Sequence, residues 1–260
     1  MTGRLFGKTI VITGAGRGLG RAAAVGMAQE GAKLWICSRT DSELAETADQ
    51  IKALGGEVEV RKLDLAKWDA CLNFAGEVLA TCNVDVLVNN AAILRFNPID
   101  KISRDEWSQT IAVNVSAPFL LIQKFLTGMR DHGGSVINVS SRAGVLGFSD
   151  EAAYCTSKFG LEGLTRALAK EVEGQRISIN TLTPGLRIKP TSLTEKEYKN
   201  LSLEKREEWN DSKEIVPAFI FLAGLRGEIG GLRFDAQKLS QALTTEGFDL
   251  TYRRIKEIAE

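Results

Sequence analysis

Tyr154 and Lys158 stand four residues apart in a segment of helical spacing, so both side chains lie on one face and can reach a common point. A phenol titrates near about 10 when unperturbed. An ammonium beside it favours the phenolate and draws that value toward working pH, which makes Tyr154 a usable general acid or base. Taken alone, the spacing recurs by chance in many helices. A second segment, Thr13-Gly-Ala-Gly-Arg-Gly-Leu-Gly20, lies between a β-branched run and a helical pattern. In that context a glycine-rich turn brings backbone N–H groups close to a pyrophosphate. Gly14 permits the tight turn, Gly18 leaves room for phosphates, and Gly20 lets the helix pack closely on the strand, with Gly16, Arg17 and Leu19 completing the turn. The other reading of this segment is a tight strand-to-helix connection and nothing more.

The end of the second strand sets which dinucleotide such a turn suits: an acid there bonds a ribose 2′-hydroxyl, an arginine a 2′-phosphate. Ser38-Arg39 occupies that place, Arg17 adds a second cation, and no carboxylate ends the strand. NADP(H) is therefore expected over NAD(H). Either arginine alone could equally be a solvated surface cation.

These residues need a scaffold, and the pattern supplies one. From Lys8 onward, short β-branched runs alternate with amphipathic stretches, the signature of strand–helix–strand units on a parallel sheet. Strands are expected over 9–13, 33–37, 57–63, 84–88, 135–139, 176–182 and, more briefly, 232–234. Helices are expected over 21–30, 41–54, 117–129, 152–173 and 215–225, with the tail from 236 to 260 left unassigned. Residues 191–213 are polar and charged, and the stretch 186–213 reads as a helical excursion covering one end of the sheet. The 260 residues form one domain, with no repeat or linker.

The totals narrow the function. With 33 basic and 33 acidic residues the formal charge is zero, which argues against a nucleic-acid or anionic-membrane surface. No run approaches the roughly 18 consecutive apolar residues of a spanning helix, and the first residues carry no extended apolar core, so a cytoplasmic protein is expected. Cys37, Cys71, Cys82 and Cys155 lack paired spacing and read as free thiols in a reducing compartment. No metal site is expected: the lone His132 has no second histidine or cysteine beside it and reads as a surface loop residue. Cys155, next to the tyrosine, reads as a packing residue.

Taken together, Thr13-Gly-x-x-x-Gly-x-Gly20, Asn89-Asn-Ala-Ala92, Asn114, Ser140-Ser141, Tyr154-x-x-x-Lys158 and Pro184-Gly185 resemble the classical short-chain dehydrogenase/reductase family in order and separation. The resemblance spans 8–185 closely and 215–235 more loosely. It implies an α/β fold of Rossmann type, a doubly wound parallel sheet of about seven strands with helices on both faces. It also implies hydride transfer between NADP(H) and a carbonyl or secondary alcohol. Tyr154 would then exchange the proton at the substrate oxygen, Lys158 would lower its pKa and bond the nicotinamide ribose, and Ser141, rather than Ser140, would orient the carbonyl. Asn114, at the opening of a helix, would hold a water joining Lys158 to solvent, or serve as that helix's N-cap. Asp64 with Leu65 would meet the adenine, Asn90 and Ala91 the adenosine side, and Pro184-Gly185 the nicotinamide.

This chain departs from the family in two places. Ala92 replaces the usual glycine of Asn-Asn-Ala-Gly, and Lys189 stands where a threonine usually follows Pro-Gly. The segments 93–96, 145–148 and 186–188 would wall the substrate, with Arg95 and Arg187 placed to meet an acid group on an apolar small molecule or else to face solvent. A homodimer or homotetramer through the apolar helices near 119–125 and 161–168 is implied. The alternative to an enzyme is a silent NADP(H)-binding sensor or scaffold on the same fold. An epimerase of the extended branch would need more chain than this.

Overall fold

The computed structural model describes residues 3–185, 188, 200–202 and 209–259. Strand β1 (Thr9–Thr13) is buried along its whole length, with Ile10 and Ile12 turned to one face and Val11 to the other, each under a layer of helices. A strand covered on both faces must be apolar throughout, which is why its sequence runs without alternation. Six strands join it: β2 (Lys33–Ser38), β3 (Val58–Lys62), β4 (Val86–Asn89), β5 (Gly134–Val139), β6 (Ile177–Thr183) and β7 (Arg233–Asp235). All pair in parallel, in the order β3-β2-β1-β4-β5-β6-β7.

Helices fill the crossovers: α1 (Gly18–Gln29), α2 (Asp41–Ala53), α3 (Trp68–Thr81), α4 (Arg104–Ile111), α5 (Ala117–His132), α6 (Ala152–Glu171) and α7 (Val216–Gly224). One face of the sheet packs Met27, Leu44, Phe219 and Phe234 into a common core; the other packs Trp35, Phe74, Leu121 and Phe125. The tail, unassigned from its pattern, folds into α8 (Ala236–Glu246) and α9 (Tyr252–Ile258), and Ala259 returns to form an antiparallel bridge with Phe234 of β7. The chain leaves β1 for β2 and β3 on one side, then crosses to β4 on the other. That reversal opens a crevice above the C-terminal ends of β1 and β4, the place where open α/β sheets hold ligands.

Strand ends fall within two residues of the expected ones, and the differences carry information. Helix α1 begins at Gly18 rather than at 21, because the last glycines of the turn are already its first turn. Helices α3 and α4 are not marked by the pattern; α4 is mostly polar (RDEWSQTI) and is fixed by Ser103, whose hydroxyl accepts the Glu106 N–H. The expected helix over 117–129 does not open near Asn114. A π-helical turn, Ala112–Ser116, fuses α4 to α5, so Asn114 is interior and not an N-cap. The continuous run Arg104–His132 is long and apolar enough to cross a membrane by length and composition, and half of its most apolar window is buried inside the protein. Much of the expected excursion over 186–213, including Leu186, Arg187, Lys189 and Thr191, lies outside the described residues.

Candidate active site

The glycine turn leaves β1 at the crevice. Gly14 takes a positive φ of 67°, and a Cβ on Gly20 would run into the Gly14 carbonyl oxygen, so the turn closes only with glycine at both places. Helix α1 follows with Arg17 at its N-cap position, whose side chain caps none of its first N–H groups. Those amides, at Gly18, Leu19 and Gly20, with the positive end of the helix dipole behind them, fit a pyrophosphate. Leu19 itself packs against the core. Asn90, just beyond β4, latches the turn: its Nδ2 donates to the carbonyls of Thr13 at 2.9 Å and Gly14 at 3.1 Å. The Thr13 hydroxyl in turn accepts the N–H groups of Asn90 and Ala91. Asn90 and Ala91 thus tie the two strands flanking the crevice, a role that the Thr13 and Asn90 residue types signal only in hindsight. Ala92 is exposed, so its extra methyl meets no crowding.

Beside the turn, no carboxylate ends β2, but one reaches Arg17 from the next helix. Glu43, in the first turn of α2, pairs with Arg17 at 3.1 Å, and a Cβ on Gly16 would meet both the Glu43 side chain and the Ser38 hydroxyl. The cause is the short connection after β2, which folds the start of α2 over the glycine turn. Arg39 is exposed and has no carboxylate partner among the described residues. The Ser38 hydroxyl bonds within its own turn, to the Thr40 backbone. At the end of β3, Asp64 accepts the Ala66 N–H at 3.1 Å, while the Leu65 side chain is buried in the core, leaving only its backbone to face a ligand.

The other end of the crevice is built from side chains. Ser141 leaves β5 and caps a short turn, its hydroxyl accepting the Ala143 N–H at 3.2 Å. Tyr154 and Lys158 descend from α6 beside it, and the Lys158 Nζ lies 5.6 Å from the Tyr154 ring centre. Ser140 is buried and its N–H donates to Leu182 at 2.9 Å, so Ser141 is the serine that faces the phenol. Burial pushes the Tyr154 phenol above its ordinary value; the Ser141 hydroxyl pulls it back, and Glu151 and Cys155 raise it further.

Lys158 stands over the Tyr154 ring, and burial is the largest influence on its titration as it is on that of the phenol. Burial brings its own ammonium down to about 8, opposed by Glu162. Its Nζ donates to the Val139 carbonyl at 2.7 Å.

Asn114 has a structural task on the far side of Lys158. Its amide clamps the backbone of Ile93, accepting that N–H at 2.8 Å and donating to that carbonyl at 2.9 Å, and also donates to Ser157 at 2.9 Å. The Ser157 hydroxyl donates to the Tyr154 carbonyl at 2.7 Å. The side chain is therefore committed to holding the loop after β4 against α6. Ser157, adjacent to Lys158 in sequence, is the link that residue-type reasoning missed. Pro184 and Gly185 close β6 above the same crevice.

Of the substrate walls, Leu94, Phe96, Val145, Leu146 and Phe148 are large apolar residues left exposed, and Arg95 hydrogen-bonds Gln109 at 3.1 Å. His132 ends α5, with its Nε2 3.3 Å from the Val84 carbonyl, and so is not the loop residue expected. Among the described residues no three metal-ligating side chains cluster.

A glycine turn, a serine, and a tyrosine–lysine pair around one switch-point crevice invite comparison with known proteins. Residues 8–201 match the short chain dehydrogenase family. The chain belongs to the short-chain dehydrogenase/reductase family. It is 41% identical over 180 residues to an uncharacterized oxidoreductase of Thermotoga maritima, covering 69% of this chain and 71% of that one. A solved structure from Beutenbergia cavernae, assigned as an NAD(P) dependent gluconate 5-dehydrogenase with bound NADP, superposes with a TM-score of 0.80 at 33% identity, over 93% of this chain and 98% of that one. Carveol dehydrogenase from Mycobacterium avium, in complex with NAD, gives 0.78 at 26% identity over 92% and 99%. Short-chain dehydrogenase/reductase relatives of this fold thus hold either dinucleotide, and this chain is an oxidoreductase of that family.

Proposed function

We propose that this protein transfers a hydride between NADP(H) and a small-molecule carbonyl or secondary alcohol, with Tyr154 as the general acid or base. The observation that carries the reading is the Ser141 hydroxyl beside a half-buried Tyr154 phenol, with Lys158 on the same helix face and the glycine turn across the crevice. When bound, the nicotinamide supplies or accepts the hydride. Ser141 has its hydroxyl oxygen anchored by the Ala143 N–H, and its one proton can turn from the Tyr154 phenol to a carbonyl oxygen. Tyr154, held neutral by burial, gives its proton to that oxygen in the reductive direction and must lose it first in the oxidative one. Lys158, titrating near 8, takes up or releases a proton behind the phenol within the working range. The preference for NADP(H) is supported by Arg39, a cation without a carboxylate partner among the described residues where a 2′-phosphate would sit.

We extend the reading to a homodimer or homotetramer in the cytoplasm. Exposed Trp68, Phe119 and Phe159 on α3, α5 and α6 support association, while Phe125 and Leu161 are committed to the interior. The free cysteines suit a reducing compartment.

The test is nicotinamide oxidation against a panel of ketones, keto acids and acyl thioesters, with NADPH and NADH in parallel and Tyr154→Phe as control. Turnover lost in the variant is expected. Tight NADPH binding with no turnover on any panel member would instead favour a silent binding protein.

A further inference from the structure

Glu162 and Arg233 form an ion pair in which each side chain is only 4% exposed, and neither takes part in the chemistry above. Taking two charges out of water offsets most of what their attraction returns, so a buried pair is weak evidence for stability and calls for another reason. The geometry supplies one. Arg233 opens β7, and its Nη1 donates to Glu162 Oε1 at 2.5 Å while its Nη2 donates to the backbone carbonyl of Ser141 at 3.2 Å. Nη1 also lies 3.5 Å from the Ser140 hydroxyl. Glu162 sits one helical turn beyond Lys158 on α6, and its second oxygen accepts the Thr181 hydroxyl of β6 at 3.0 Å. The turn after Ser141 rests directly on the pair: a Cβ on Gly144 would lie 2.7 Å from the Ser140 hydroxyl and 3.0 Å from Glu162 Cγ.

We propose that Arg233, braced by Glu162, is a positioning residue for Ser141: it fixes the serine backbone and thereby sets where its hydroxyl meets the Tyr154 phenol and a substrate carbonyl. A guanidinium suits this task because its planar fork can hold a carboxylate with one arm and a carbonyl with the other. An ammonium, a point charge, can satisfy Glu162 without also reaching Ser141. The proposal rests on the reductase reading of the site.

The experiment compares wild type, Arg233→Lys, Glu162→Gln and the double variant Glu162→Met with Arg233→Met. The substrate is the panel carbonyl that the wild type reduces fastest with NADPH. Glu162→Gln is expected to lower Tm, and the double variant to recover it, because no unpaired charge stays buried. Arg233→Lys and the double variant are expected to lose roughly tenfold or more in kcat, since a misplaced group is costly in rate, with the NADPH Kd and substrate KM within about threefold of wild type. Recovery of kcat together with Tm in the double variant would show that the pair only stabilises the fold, and would overturn the proposal.

A second arm needs no turnover. The Tyr154 phenol is followed by carbon NMR of ring-labelled tyrosine and identified by its loss in Tyr154→Phe. Glu151, Cys155 and Lys158 face the phenol in every form, so only Ser141 changes its placement. The titration is expected to move up in Arg233→Lys and in the double variant, and an unmoved titration would also overturn the proposal. Wild type that reduces no panel carbonyl while the phenol still shifts would sink the reductase reading and leave the positioning role standing.

Discussion

At the β1 end of the crevice the groups able to meet a ligand are backbone amides at the start of α1, and side chains serve mainly to hold the turn shut. At the β5–α6 end the reverse holds: the groups that face the crevice are the side chains of Ser141, Tyr154 and Lys158, and backbone groups, the Ala143 N–H and the Val139 carbonyl, hold Ser141 and Lys158 in place. A backbone site needs little more than the right glycines, because its donors are already present in every residue. A side-chain site needs burial, and burial moves the titration of the groups it enlists. The tyrosine rises and the lysine falls, so the chemistry at this end depends on how the whole interior excludes water.

That contrast can be broken by experiment. The largest effect is expected for Tyr154→Phe, which should cost about 10²–10⁴-fold in kcat while leaving the NADPH Kd within about twofold. Comparable losses of binding would show that the two ends are not separable.

Lys158→Met comes next. In the folded protein the lysine titrates near 8 instead of 10.5, a burial cost on the order of 3 kcal/mol at neutral pH, part of which the hydrogen bond to Val139 returns. Because the folded value is the lower one, the unfolded chain holds more protons between about 8 and 10.5, and the wild type gains stability from this group as pH rises through that window. The variant should therefore be inactive yet more stable at pH 7 by about 1–2 kcal/mol in urea unfolding, with the gain shrinking toward pH 10. A variant less stable at neutral pH would mean that the lysine is well solvated or well paired.

The pH profile sharpens the same point. With the phenol raised by burial, reduction should stay flat through neutrality and fall only on the alkaline side, while alcohol oxidation should climb with pH over the same range. Parallel profiles in the two directions would exclude Tyr154 as the shared proton carrier.

At the backbone end the expected effects are smaller. Arg39→Ala should weaken NADPH roughly tenfold, about 1.4 kcal/mol, and leave NADH unchanged in a fluorescence titration. Glu43→Gln, which frees Arg17, should tighten NADPH by a few-fold, and an unchanged Kd would place the Arg17–Glu43 pair outside the phosphate site.

Much of this is legible in the sequence itself. The parallel sheet shows in the uninterrupted apolar strands, and the switch-point crevice in the glycine turn that follows the first of them. Helix α4 was illegible because its residues are mostly polar and its place depends on fusing to α5 through a π turn. The tail was illegible because α8 is held by packing against a core that the pattern cannot display, with Leu239 and Leu243 turned into it.

What the sequence determined by itself is whatever is local: strand and helix periods, the glycines that a close turn demands, and the four-residue spacing that puts Tyr154 and Lys158 on one face. What the tertiary structure alone decided is whatever depends on distance through space. It brought Glu43 onto Arg17, spent the Asn114 amide on Ile93 and Ser157, and set Arg233 behind Ser141 across 92 residues of chain. It also set burial as the largest influence on both the tyrosine and the lysine, because desolvation is a property of the packed interior and has no period to be read along the chain.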